Sequence, residues 1–180
     1  MGDGAVTGQP SSSRVMLLDA CVLIDFLKAD KAVLQLMVQY VGAFSVIGPV
    51  VDEVKEINDD NELIELGLII MEPALEDAYA AGSQRGPLSF EDRLSLLTAK
   101  RHGLLLVTND RRLRRECEPE GVAVLWGLEL LAALHKAGGM PAMEVVGIAQ
   151  AIRESNPKHI TPKIVERFEE VIRHQDCRQR

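Results

Sequence analysis

The chain has 180 residues, 47% of them hydrophobic and 4% aromatic, with a net charge of −7. That is one domain of ordinary size, with enough Leu, Val, Ile and Ala to bury a core. The acidic balance excludes a protein that coats nucleic acid through bulk positive charge, though not a local basic rim, and no apolar run reaches the roughly 20 residues that a membrane helix needs.

Residues 1–13 are Gly- and Ser-rich, with no basic head and no apolar stretch, which predicts a disordered N-terminus rather than a signal peptide. Residues 15–18 read as a short buried strand. Helices are predicted over 21–27 and 31–40, the second capped by Asp30, with Gly42 as a break. A second strand covers 44–47. Pro49 suits a first helical position, and a helix is predicted over 50–57. A loop or short helix starts in 58–62, and a third strand covers 68–71.

A helix over 73–81 and a Gly/Pro-containing loop over 82–88 come next. Ser89 and Asp92 have the spacing of a capping box for a helix over 90–102, and Gly103 ends it as a left-handed cap. A fourth strand covers 104–107, a basic helix 111–117, a fifth strand 122–126 and a helix 128–137. Two helical patterns remain, 141–154 and 162–175, the latter with Thr161 as cap.

Strands alternate with helices and no tight hairpin signal occurs. The predicted class is therefore α/β, a three-layer α/β/α arrangement around a mostly parallel sheet of four to five strands. The expected organisation is a domain over 14–137 and a C-terminal helical extension over 138–180. That extension would serve as a lid, a dimer surface or a partner-binding arm. Three widely spaced cysteines, Cys21, Cys117 and Cys177, form no CxxC, so neither a zinc site nor a disulfide framework is predicted, and a reducing cytoplasm is the expected compartment.

Four carboxylates stand where a strand runs out or a helix begins: Asp19, Glu53, Asp92 and Asp110. Acids at strand ends of such a sheet converge on one crevice, and clustered acids repel one another unless a cation sits among them. The expectation is a divalent-metal site, with hard oxygen donors suited to Mg²⁺ or Mn²⁺. Two such ions can hold the attacking and leaving oxygens of a phosphodiester and activate water near neutral pH without a histidine base. Any one of these acids alone reads better as a cap or a solvated side chain. Asp19 and Asp110, each abutting a fully apolar strand, are harder to explain that way. Asp52, Glu56, Glu62 and Glu65 read as solvated, and Asp25 as a surface or helix-end acid, with assistance to the site as the lesser alternative.

The phrases that carry these acids are Leu17-Leu18-Asp19-Ala20-Cys21-Val22-Leu23-Ile24-Asp25, Pro49-Val50-Val51-Asp52-Glu53-Val54, Ser89-Phe90-Glu91-Asp92-Arg93-Leu94 and Leu106-Val107-Thr108-Asn109-Asp110. In this order the sequence resembles the PIN-domain family of nucleases, roughly from Val15 to Trp126. The resemblance implies a Mg²⁺- or Mn²⁺-dependent endoribonuclease. Asp19 and Asp92 would be direct metal ligands, Glu53 would reach back into the site, and Asp110 would hold a metal directly or through water. Thr108 would hydrogen-bond an acid or a bound water, or be an ordinary strand-end threonine. The family often has a hydroxyl or amide residue just after the first acid; here Ala20 and Cys21 stand there.

Small members of the family resembling this chain are VapC-type toxin ribonucleases, inhibited by an antitoxin that places residues in the acidic crevice, and they form dimers. An antitoxin partner and a homodimer are therefore expectations, the latter through 31–40 and 90–102 or the tail. A stand-alone protein without an antitoxin is the neighbouring expectation. Arg111, Arg112, Arg114 and Arg115, with Arg85 before Asp92, would either contact RNA phosphates or form a solvated basic surface. The competing function is a catalytically weak or inactive RNA-binding or protein-interaction module.

Overall fold

A computed structural model describes residues 15–179; the expected disorder of 1–13 falls outside them. The elements run β1 (Met16–Leu18), α1 (Ala20–Asp30), α2 (Ala32–Tyr40), β2 (Phe44–Ile47), α3 (Gly48–Val51), α4 (Asp60–Glu65), β3 (Ile69–Met71), α5 (Leu75–Ser83), α6 (Phe90–His102), β4 (Leu105–Val107), α7 (Arg111–Cys117), β5 (Val124–Leu125), α8 (Gly127–Lys136), α9 (Ala142–Ser155) and α10 (Pro162–Gln179). The five strands pair entirely in parallel in the order β3-β2-β1-β4-β5. β1 and β2 are buried at every position, as expected of central strands covered on both faces.

From β1 the chain moves outward to β2 and β3, then crosses back to β4 on the other side of β1 and on to β5. Crossovers of this kind are right-handed, so reversing the direction of travel changes the face that receives the helices. α1 and α2 share one face with α8, α9 and α10, while α5, α6 and α7 pack together on the other. The reversal leaves a crevice beyond the carboxyl ends of β1 and β4. Leu17, Leu18, Val22, Leu23, Phe26, Val46, Leu94, Leu106 and Leu131 belong to one continuous core, and so do Val145, Ile152 and Phe168 of α9 and α10.

Local signals are realised where side chains act on their own backbone. The Ser89–Asp92 capping box starts α6, and Gly103 closes it at φ 63°, a conformation that favours glycine. The helix expected over 50–57 stops at Val51. Glu53 N–H donates to Val50 O (3.2 Å) and Val54 N–H to Val51 O (2.9 Å), tight i−3 turns that suit a β-branched pair better than continued helix. The fifth strand is shorter than 122–126. Gly121 turns at φ 69° before it, and Trp126 N–H is taken by Glu129 Oε2 (2.8 Å) at the start of α8. Asp25 is a clear correction. It is no surface acid: it is 3% exposed and accepts hydrogen bonds from Asn109 and Asn156.

Candidate active site

β1 ends in Asp19 because the next residue starts α1, and Asp19 caps that helix through Ala20 N–H to Oδ1 (2.8 Å). Its second oxygen accepts from Thr108 Oγ1 (2.7 Å) and Cys21 Sγ (3.0 Å). Thr108 in turn accepts from Asp110 N–H (3.0 Å). The hydroxyl at the end of β4 therefore joins the acid after β1 to the backbone of the acid after β4. Cys21 occupies the place where a hydroxyl or amide was expected, and its thiol makes the orienting bond. Asn109 N–H donates to the same sulfur (3.4 Å). Burial and the Asp19 charge beside it push the thiol well up, so it stays a donor.

Asp110 caps α7, its Oδ1 accepting from Arg112 N–H (2.6 Å) and Leu113 N–H (3.1 Å). Asp92 sits in the first turn of α6, and Glu53 in the turn that follows α3.

The acids press on one another. Asp19 is raised chiefly by its burial and further by the Asp92 charge, against the pull of Cys21, Thr108 and Ala20. Asp92 is raised by burial and by Asp110 and Glu91, with the Ser89 bonds opposing. Glu53 lies on the exposed rim; partial loss of hydration raises it, then the charges of Glu91, Asp92 and Asp19. None of the ion pairs among the described residues involves Asp19, Glu53, Asp92 or Asp110. This donor set is chemically suited to a hard divalent cation, which would offset repulsion that the fold leaves uncompensated. As the side chains stand, no three His, Cys, Asp or Glu residues among those described are gathered closely enough to hold an ion. The donors are therefore grouped but not preassembled.

Several contributors were not singled out from sequence. Glu91 joins the acidic group through Glu53 and Asp92; its place beside Asp92 was the available signal. Asn109, 2% exposed, donates from Nδ2 to Asp25 Oδ2 (2.8 Å) and accepts Gly127 N–H on Oδ1 (3.0 Å). It thereby fixes the loop carrying Asp110 to α1 and to the start of α8. Gly127 eases that approach, since a Cβ there would lie a tight 3.2 Å from both Asn109 polar atoms. Buried Arg93 donates to Ala81 O, Gln84 O and Leu88 O, tying down the loop before Asp92. Arg85, on that loop, is exposed. Arg111 and Arg112 are exposed on α7, and Arg111 lines a cleft with Arg114, Arg115 and Trp126.

Among solved structures, a PilT N-terminus (PIN) domain protein from the archaeon Sulfolobus solfataricus is similar to this chain. The match has a TM-score of 0.50 and 16% identity, and covers 67% of this chain and 92% of the other. This chain has the PIN-domain fold. No family model matches the sequence, and no curated protein matches it either. In this fold the acids that follow β1 and β4 and Asp92 of α6 stand near enough for Asp92 to feel Asp110 and Asp19 to feel Asp92. No helix among the described residues of this PIN domain is long and apolar enough to cross a membrane.

Proposed function

We propose that this PIN domain is a Mg²⁺- or Mn²⁺-dependent endoribonuclease. The observation that carries the reading is the pinned Asp19 carboxylate, buried and held by Thr108, Cys21 and Ala20, with Asp92, Asp110 and Glu53 loading further negative charge around it. A bound ion would polarise the phosphodiester and acidify water in this crevice. Asp19 would present a fixed oxygen to that ion, with Asp92, Asp110 and Glu53 completing the set. Thr108 holds Asp19 and the Asp110 backbone in one register, a positioning role. The Cys21 thiol supplies the orienting bond in place of a hydroxyl or amide, which favours the enzyme over an inactive binding module.

RNA is the substrate in this reading. A toxin silenced by an antitoxin that lays a cation against these carboxylates is a setting that fits the chemistry. The test is cleavage of a pooled structured RNA by purified protein in Mn²⁺ or Mg²⁺, then in EDTA, beside Asp19→Asn. Cleavage lost in EDTA and in the variant supports the reading. A folded protein that cleaves in neither metal and binds no Mn²⁺ by calorimetry is the binding module instead.

A further inference from the structure

A cleft of about 870 Å³ lies between α7 and β5, one helix turn from Asp110. Its charged lining is three arginines, Arg111, Arg114 and Arg115, against one glutamate, Glu118. None of the three arginines makes an ion pair among the described residues. The Arg114 guanidinium lies over the Trp126 ring, 3.8 Å from its centroid, and its Nη1 is buried with no hydrogen-bond partner. Burial and the Arg111 charge work against the Arg114 cation, with the Glu129 charge opposing them. The fold thus concentrates positive charge here and leaves one buried guanidinium donor without a partner, in a chain whose net charge is −7.

The sheet edge adds a second, independent feature. β5 is the outermost strand. Ala123 O and Leu125 O face inward, accepting from Leu106 N–H (2.9 Å) and Thr108 N–H (3.0 Å) of β4. Strand alternation therefore turns the N–H and C=O of Val124 to the open edge, where the cleft is. A cation–aromatic contact, guanidinium donors and one free backbone donor–acceptor pair meet in one place. Those are the elements that recognise an unstacked base and its phosphate.

We infer that this cleft binds one nucleotide unit of single-stranded RNA. The phosphate lies on the α7 arginines, the base lies against the Arg114–Trp126 pair, and the base edge meets Val124. The choice of RNA rests on the ribonuclease reading above; the site is separate from its carboxylates. A strand held here has its neighbouring phosphodiester delivered to the crevice at Asp110, because α7 connects the two.

Trp126 is the single tryptophan of the chain, so its fluorescence reports the cleft directly and without turnover. The experiment titrates the full-length protein in EDTA with a ten-nucleotide oligouridylate and oligoadenylate, a duplex of the same length, and inorganic phosphate. The expected result is saturable quenching by the single strands, at least ten-fold weaker with the duplex. Inorganic phosphate should give no comparable quench at the same concentration. Arg111→Gln with Arg115→Gln, both exposed, should weaken binding at least five-fold and lower the salt slope by about 0.7, the value for one phosphate contact on a single strand. Arg114→Lys, which keeps the charge and removes the plane, should erase the preference for single strands. Equal binding of the duplex, or quenching by phosphate alone, overturns the proposal, as does a flat signal with all ligands. RNA cleavage in Mn²⁺ that is indifferent to the arginine variants overturns it too while leaving the ribonuclease standing. Quenching in EDTA by a protein that never cleaves leaves the cleft standing without the ribonuclease.

Discussion

The Asp25→Asn substitution tests the physics of the site without touching its acids. Asp25 lies under α9, 3% exposed, accepting Asn109 Nδ2 at 2.8 Å and Asn156 Nδ2 at 3.0 and 3.1 Å. Burial lifts its carboxyl from 3.8 to about 6, with the two asparagine bonds and the His159 and Lys28 charges pulling against that rise. The folded protein therefore holds a proton that the unfolded chain has already released, between roughly pH 4 and pH 6. Stability from this residue is fully present below its unfolded pKa and is lost as pH rises through its folded one. Two units correspond to about 3 kcal/mol. An asparagine does not titrate, so the stability of the parent minus that of Asp25→Asn should fall by about 3 kcal/mol between pH 4 and pH 7. Other carboxylates cancel in that difference. Urea denaturation of both proteins in half-unit pH steps measures it. Parallel curves, or a difference that grows with pH, would falsify the claim that desolvation outweighs the asparagine donors.

Three further outcomes are expected. Thr108→Val leaves Asp110 N–H unpaired and removes the shortest bond to Asp19. A loss of about 2–4 kcal/mol should appear in urea unfolding, and RNA cleavage should fall with it. Arg93→Met strips the loop carbonyls of Ala81, Gln84 and Leu88 of their donor; trypsin should then cut after Arg85 at least several-fold faster, with a stability loss of about 2–3 kcal/mol. Mn²⁺ at a hundred times its dissociation constant should raise stability by about 2.7 kcal/mol. Asp19→Asn with Asp92→Asn should abolish that gain, as read by thermal unfolding with and without EDTA.

What the sequence disclosed was whatever acts within a few residues. Ser89 and Asp92 cap α6, Gly103 stops it, and Leu17-Leu18 and Leu106-Val107 are buried runs that place acids at strand ends. The parallel sheet followed from strand–helix alternation. Less legible were features set by distant partners. Asp25 looked like a helix-end acid because its ligands, Asn109 and Asn156, are 84 and 131 positions away. Cys21 looked like a gap in the pattern because its bond to Asp19 depends on how α1 leaves the strand. The arginines of α7 read as rim or solvated surface, and only the fold sets Trp126 beneath Arg114. The overlong helix after Pro49 was read from a proline suited to a first helical position, a signal that marks where a helix starts and not where its turns tighten.

The bond from Asn156 to Asp25 also has a bearing on how the protein is made. α1 leaves the ribosome early, but one wall of its surroundings, α9, is translated more than a hundred codons later. Until then the two Asn156 bonds to the Asp25 carboxylate cannot form, and that side of it stays open to water. Pairing across so long a stretch is intrinsically slow. A chain translated only through α8 would thus carry all four acids and still lack part of the frame around Asp25, so that the frame is completed only once α9 has been made.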